Sequence, residues 1–190
     1  MSSLAKSEIT AATKFQKIRY WCQDETRLGL KTIPGRKLTA FGVKPVGVGQ
    51  WQRPNYYLYG VVEPQTGESF FYEFSHLDSE CFQKFLQEFS QTYPEAKHIF
   101  QLDNGPLHTA KDLQVPENIV LLFQPPHCPE LNPIERVWEY LKSFLRWELF
   151  SHLDELKAQV SEILRSLTTT IIASLTGWDY ILQALSVAGI

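Results

Sequence analysis

The sequence has 190 residues, of which 44% are hydrophobic and 13% aromatic, enough for one substantial core but not for two comfortable domains. Its three cysteines form no CxxC pair, so neither a disulfide framework nor a zinc ribbon is indicated. The chain does not open with a signal-peptide pattern, and polar residues interrupt its most apolar stretch, 171–190. We therefore expect a cytoplasmic protein that has no membrane partner.

The net charge of -3 conceals a segregation of charge along the chain. The segment from Lys14 to Arg53 carries nine basic residues against only Asp24 and Glu25, so the remainder is strongly acidic. A basic segment around one acidic pair suits a phosphate backbone that is led towards a metal site. An ordinary solvated surface explains the same charge pattern equally well.

Alternation of apolar and polar residues predicts strands. The first strand ends at the acidic pair Asp24–Glu25. The glycine- and proline-containing segment 26–55 predicts irregular structure with a short strand at 37–43. Two aromatic and β-branched runs that flank a turn-rich connection then predict an antiparallel hairpin. The predicted main strands are 16–23, 56–62, 69–74, 98–102 and 118–123.

Apolar residues at helical spacing predict helices. Asn132 is a suitable N-cap and Pro133 a suitable first helical residue, which places Glu135 in the first turn of the helix that follows. A short helix is expected between the last two strands, and the C-terminus is expected to be helical. The element order predicts an α/β fold, a ribonuclease H-like mixed five-stranded sheet flanked by helices with a helical C-terminal tail. The predicted long helices are 77–89, 133–149 and 153–167.

Three carboxylates are candidate ligands of a metal. In this fold the fourth strand lies beside the first and parallel to it, so Asp24 and Asp103, which end these strands, point into one crevice. Glu135 adds a third ligand from the flanking helix. Two hard cations held by carboxylates can activate a water or a 3′-hydroxyl for attack on a phosphodiester. Each residue alone also has a structural explanation, as an acidic strand end, a turn aspartate and a capping-box glutamate.

Two motifs resemble the DDE transposases of the mariner superfamily, most closely the bacterial insertion-sequence branch. Asp103-Asn-Gly-Pro-Leu-His108 is similar to that family's D-N-x-x-x-H stretch, and Pro125 to Trp138 is similar to its P-x-x-P-x-L-N-P-I-E-x-x-W stretch. The resemblance implies metal-dependent cleavage of DNA and strand transfer, with magnesium or manganese as cofactor, in two ions. It also implies that Asp24, the first member of the acidic pair, is the catalytic ligand.

The resemblance covers roughly residues 15–150, which we interpret as the catalytic domain, with 1–14 as an N-terminal linker remnant and 151–190 as a C-terminal helical extension. It implies several partners: transposon ends and target DNA, a second copy of the chain on DNA, and a separate N-terminal helix-turn-helix region or protein. A bacterial protein of this kind is expected in the cytoplasm, at the nucleoid when bound to DNA. Two alternatives stay open, an inactive or domesticated remnant that serves as a DNA-binding module and a ribonuclease H-like nuclease.

Further polar residues are candidates for roles around the three carboxylates. His108 is a candidate contact of the scissile phosphate, although a histidine hydrogen-bonded within the fold is a close alternative. Trp138 fits the apolar stripe of its helix and is interpreted as a core residue. Solubility and turn or cap formation explain the remaining residues equally well. The candidate DNA-binding residues are Arg27, Lys31, Arg36, Lys37, Arg136 and Lys142, and the candidate supporting residues are Glu25, Asn104 and Asn132.

Overall fold

One mixed five-stranded sheet forms the centre of the protein. The computed structural model describes residue 15, residues 17–125 and residues 128–190, so the predicted remnant 1–14 lies outside it. The order across the sheet is β3-β2-β1-β4-β5, with β1 antiparallel to β2 and parallel to β4. The predicted ribonuclease H-like sheet is therefore confirmed. The strands are β1 (Ile18–Gly29), β2 (Asn55–Val62), β3 (Ser69–Phe74), β4 (Lys97–Leu102) and β5 (Ile119–Phe123).

Helices cover both faces of the sheet, and the predicted helical C-terminus is confirmed. Among the described residues no single helix is long and apolar enough to cross a membrane, and only the last two helices together reach that length, bent by 95°. The Asp78 side chain caps the first helix by accepting a 2.8 Å hydrogen bond from the backbone N–H of Cys81. The helices are α1 (Ser79–Thr92), α2 (Ile134–Phe144), α3 (Leu153–Ser166), α4 (Thr169–Thr176) and α5 (Asp179–Ala188).

Each face of the sheet carries its own hydrophobic cluster because side chains alternate along a strand. Trp21 points to the face covered by α1, where it packs against Phe89 with ring centroids 5.1 Å apart. Cys22 points to the other face, into a cluster with Trp138 of α2 and with apolar residues of α3, α4 and α5. Asp24 and Glu25, two and three positions after Cys22 in β1, therefore face different sides of the sheet.

The prediction that β1 ends at Asp24–Glu25 is wrong. β1 continues to Gly29 because β2 remains its antiparallel partner as far as the pair Gly29↔Asn55. The parallel partner β4 stops earlier, at Leu102. Asp24 thus lies within β1, at the point where that strand passes the end of β4.

Three other local predictions are wrong. Residues 37–43 form no strand and are exposed, with a turn at Gly42, whose φ is 78°. Residues 106–112 form turns instead of a short helix. The helix predicted to reach 149 ends at Phe144, after which Trp147 takes a left-handed φ of 65° and donates its indole N–H to the backbone of the β1–β2 connection, at Gly35. That tertiary bond favours a turn over a longer helix.

Candidate metal centre

The strand register brings the first two predicted carboxylates to one edge of the sheet. The last parallel pair between β1 and β4 is Cys22↔Gln101. Continued by two residues, that register sets Asp24 of β1 beside Asp103, which directly follows β4. Neighbouring strands are about 4.8 Å apart, a spacing that one or two cations can bridge. The predicted position of Asp103 at the end of its strand is confirmed.

Asp24 is a half-buried carboxylate held by a tryptophan. Trp138 donates its indole N–H to Asp24 Oδ2 over 2.9 Å. Burial, followed by the nearby negative charges of Glu25 and Glu135, raises the pKa of Asp24 to about 8. The protein therefore holds Asp24 largely protonated at neutral pH unless a cation balances its charge.

Asp103 belongs to a hydrogen-bonded group on the α1 side of the sheet. Its Oδ1 accepts 2.8 Å hydrogen bonds from the Gly105 backbone N–H and from His108 Nδ1. The other nitrogen of the imidazole, Nε2, lies 3.1 Å from Glu25 Oε1. His108 is thereby the link between Asp103, whose side chain is 56% exposed, and the buried Glu25.

The environment of His108 favours its charged form. Burial lowers the pKa of this imidazole, but the hydrogen bonds and charges of Glu25 and Asp103 outweigh burial and raise it. An imidazolium has N–H donors on both nitrogens, which matches one carboxylate at each. The structure therefore places His108 among the carboxylates as a donor, with its ring edge against Phe82 at a centroid distance of 4.6 Å.

Glu135, the third predicted ligand, lies in the first turn of α2. It is half-buried, and burial raises the pKa of its carboxyl. It lines a cleft of about 380 Å³ that Asn132, Arg136 and Trp178 also border. Its negative charge contributes to the raised pKa of Asp24.

Both predicted supporting asparagines bind backbone carbonyls. Asn104 Nδ2 donates to Gln124 O over 2.8 Å, which ties the end of β4 to the end of β5. The prediction that Asn132 caps α2 is wrong: Pro133 occupies the N-cap position, and Asn132 Nδ2 donates over 2.8 Å to Gln23 O of β1. The hydrogen bond from Asn132 to Gln23 O fixes the start of α2 against β1, next to Asp24.

Four of the predicted DNA-binding residues are exposed on β1 and the connection that follows it, namely Arg27, Lys31, Arg36 and Lys37. Lys31 lies over the ring of the exposed Trp51, with its Nζ 4.6 Å from the centroid. Both side chains line a groove of about 390 Å³ that Arg27 also borders. This groove starts three residues beyond Asp24 along β1, so cationic and aromatic groups lead away from the carboxylates.

The basic segment is less basic at its surface than its sequence indicates. Arg19 is buried and binds Glu63 through its Nε at 2.9 Å and its Nη2 at 2.6 Å, with Glu68 as a further partner. On α2, the exposed Arg136 pairs with the exposed Glu139 at 2.9 Å. Lys142 is half-buried, and its positive charge acts to lower the pKa of Glu135.

The predicted ligands are gathered but do not form a closed metal site. Within the described ranges, no three or more His, Cys, Asp or Glu side chains are arranged to hold a metal ion. Asp24 and Glu135 face the α2 side of the sheet, whereas Glu25 and His108 lie on the α1 side with Asp103 reaching towards them. A rotation of the exposed Asp103 side chain is the smallest change that would bring it to the α2 side.

Sequence reasoning missed two residues of this site. Trp138 was interpreted as core, yet its N–H binds the first carboxylate; its position three residues after Glu135, on the same side of the helix, was the available signal. Gly60 lies directly across from Asp24 in β2, and a Cβ there would be 2.5 Å from the ring of Trp138. No sequence signal identified Gly60, because strand pairing between distant segments decides its partner.

Comparisons with known proteins show what the chain is similar to. A family model described as DDE superfamily endonuclease matches residues 19–157. The chain is 33% identical over 102 residues to the uncharacterized protein y4pE/y4sA of Sinorhizobium fredii, covering 53% of this chain and 76% of that protein. It is 30% identical over 77 residues to the transposable element Tcb2 transposase of Caenorhabditis briggsae, covering 39% of this chain and 28% of that protein.

The fold also matches a solved transposase structure. The Mos1 mariner paired-end complex with Mn superimposes with a TM-score of 0.67 at 16% sequence identity, covering 90% of this chain and 56% of that one. At this identity the likeness confirms the fold alone. The chain spans about half the length of the Mos1 chain and less than a third of the Tcb2 transposase.

Proposed function

Because the chain belongs to the DDE superfamily endonuclease family, we propose that it is a mariner-type transposase catalytic domain that cleaves DNA and transfers the cut strand with divalent metal ions. The observation that carries this proposal is the register that sets Asp24 beside Asp103, with Glu135 on the adjacent helix. Carboxylates from two neighbouring strand ends and a flanking helix suit phosphodiester chemistry, which needs no covalent protein intermediate.

The residues present fit a hard divalent cation. Burial raises the carboxyl pKa of both Asp24 and Glu135, and a nearby cation would lower both pKa values. Asn132 Oδ1 is buried beside them and has no hydrogen-bond partner among the described residues. Magnesium and manganese prefer such oxygen donors. When bound, two such ions supply activation of the attacking oxygen and stabilisation of the leaving one.

The acidic residues and their hydrogen-bond partners have different roles in metal binding. Asp24, Asp103 and Glu135 hold the metal ions, and Asn132 anchors the helix that carries Glu135. His108 and Glu25 orient Asp103 from the α1 side. His108 has a hydrogen bond at each nitrogen, which favours this orienting role over a direct phosphate contact.

The DNA backbone binds the exposed cations in this proposal. Arg27 and Lys31 line the groove that starts three residues beyond Asp24 along β1, and Arg36 and Lys37 lie in the connection that follows β1. Trp51 offers an exposed ring on which an unpaired base can stack. Phosphate contacts of this kind position DNA without reading its sequence, so recognition of transposon ends belongs to a separate helix-turn-helix region or protein. A second copy of the chain would engage the second DNA end.

A plasmid nicking assay tests the activity. The substrate is a supercoiled plasmid that carries the DNA flanking the gene, incubated with Mg²⁺ or Mn²⁺, with and without a separately supplied N-terminal helix-turn-helix protein. We expect open circles and joined products from wild type, and at least about a hundredfold less from Asp103→Ala or Glu135→Gln purified in parallel, because losing a ligand costs more than losing its support. Equal rates in all preparations would refute the proposed catalysis.

A second candidate function is DNA binding without catalysis. The observation that favours it is that no preformed group of metal ligands exists within the described part of the chain. This candidate predicts that wild type and Asp103→Ala bind DNA equally and that neither cuts it. A ribonuclease H-like nuclease would instead degrade the RNA strand of a hybrid and give no joined DNA.

A further inference from the structure

Trp138 combines a buried position with a hydrogen bond to one of the candidate metal ligands. Its side chain is 2% exposed and packs among Ile134, Val137 and Leu141 on the buried side of α2. Its indole N–H nevertheless reaches out of that cluster to Asp24 Oδ2 at 2.9 Å. The carboxyl group that accepts this bond loses rotational freedom, because a hydrogen bond is directional.

β2 is built to admit the ring of Trp138. Gly60 is the cross-strand partner of Asp24, and a Cβ at that position would lie 2.5 Å from Trp138 Cη2 and 2.9 Å from the ring of Phe71. Since real Cβ atoms do not approach so closely, any other residue would displace the indole. The absence of a side chain at Gly60 therefore leaves the space from which the Trp138 indole reaches the carboxyl group of Asp24.

The same helix carries the third acidic residue. Glu135 precedes Trp138 by three positions, so both side chains lie on one side of α2. Asn132, three positions before Glu135, ties the start of α2 to Gln23 O, next to Asp24. A shift of α2 would thus displace Glu135 and release Asp24 together.

We infer that Trp138 is a positioning residue for metal binding: seated over Gly60, it orients Asp24 through its indole N–H and couples that carboxylate to Glu135. This inference rests on the proposed function, in which Asp24 is a metal ligand. Partners that orient a metal ligand typically contribute 10- to 100-fold, roughly, to metal affinity.

The test compares Trp138→Phe with Trp21→Phe, using Mn²⁺ alone as the probe. Trp21 is a matched control because it is also fully buried and its indole N–H also binds one side chain, His98 Nδ1 at 3.0 Å, on the opposite face of the sheet. We expect the dissociation constant of Mn²⁺, measured from the paramagnetic resonance of free Mn²⁺, to rise about tenfold or more in Trp138→Phe. Trp21→Phe should stay within about twofold of wild type while losing comparable stability.

A spectroscopic readout on wild type keeps the inference testable if Trp138→Phe does not fold. In ¹⁵N-labelled protein the Trp138 indole N–H resonance should move on addition of Mg²⁺, and Asp24→Asn should abolish that movement. Equal Mn²⁺ affinity in wild type and Trp138→Phe, or an indole resonance that ignores Mg²⁺, would overturn the inference alone if Asp24→Asn still weakens binding. Wild type that binds no Mn²⁺, or binds it equally after Asp24→Asn, would overturn the proposed function as well.

Discussion

Asp24→Asn should stabilise the fold in the absence of metal, although it removes a proposed ligand. Asp24 has a pKa of about 8 in the folded protein, against an ordinary value of 3.8. When folding raises the pKa of a carboxyl group, the folded protein loses stability as pH rises from the unfolded pKa to the folded pKa. At pH 7 these two pKa values correspond to a loss of at most about 4 kcal/mol from the free energy of unfolding. Asparagine cannot ionise, and its side-chain oxygen can still accept the bond from Trp138.

The realised gain should be smaller because Asp24 is only half-buried and coupled to its neighbours. We expect about 2 kcal/mol, which for a chain of this size raises the melting temperature by about 4 to 8 °C. The assay is thermal unfolding in EDTA from pH 5 to pH 8, with the difference between variant and wild type growing as pH rises. Glu139→Gln, on the exposed side of α2, is the control for loss of one charge. A stability difference that does not change with pH, or a wild type more stable than Asp24→Asn at pH 8, would show that Asp24 does not titrate as described.

Three further predictions concern packing and charge. Arg19→Met should lower the free energy of unfolding in urea by about 3 to 5 kcal/mol, because it leaves Glu63 buried without its partner. Burial raises the pKa of Glu63, but its hydrogen bonds with Arg19 and Thr66 outweigh burial and lower the pKa. The stabilisation by this ion pair is therefore complete above pH 4.5 and is lost as pH falls further. Gly60→Ala should cost about 1 to 3 kcal/mol in the same experiment, since its Cβ would collide with Trp138, and a neutral result would contradict the packing described. Lys31→Ala should weaken DNA binding in fluorescence anisotropy and reduce the slope of log affinity against log salt by about one, whereas an unchanged slope would place Lys31 away from phosphate.

The parts of the fold that could be predicted from sequence are those with strong local patterns. The hairpin predicted at 56–62 and 69–74 differs from the structure by one residue, because aromatic and β-branched runs surround a clear turn. The helix-start signal Asn132–Pro133 placed Glu135 correctly in the first turn of α2, although the N-cap is Pro133 and not Asn132. The full length of β1 was hidden because two charged residues interrupt its pattern, although the buried Thr26 and Leu28 continue the alternation beyond them.

The parts of the site that could not be predicted depend on contacts between distant segments. Asn132 binds Gln23 O instead of capping α2 because that helix packs on β1. The link from Glu25 through His108 to Asp103 joins residues about eighty positions apart, and no local pattern specifies it. Trp138 satisfied every criterion of a core residue, so only its partner in the folded chain gives it a second role.

The most direct test of the metal centre is a crystal structure of the protein soaked in Mn²⁺ at pH 8, with data collected at the manganese absorption edge. We expect anomalous density at the end of β4, with ligand oxygens of Asp24 and Asp103 within about 2.0 to 2.3 Å and Glu135 directly bound or bridged by water. We also expect the Asp103 side chain to turn towards Asp24 while the hydrogen bond from Trp138 to Asp24 persists. Anomalous density elsewhere, or none near these carboxylates, would contradict the assignment of the metal centre.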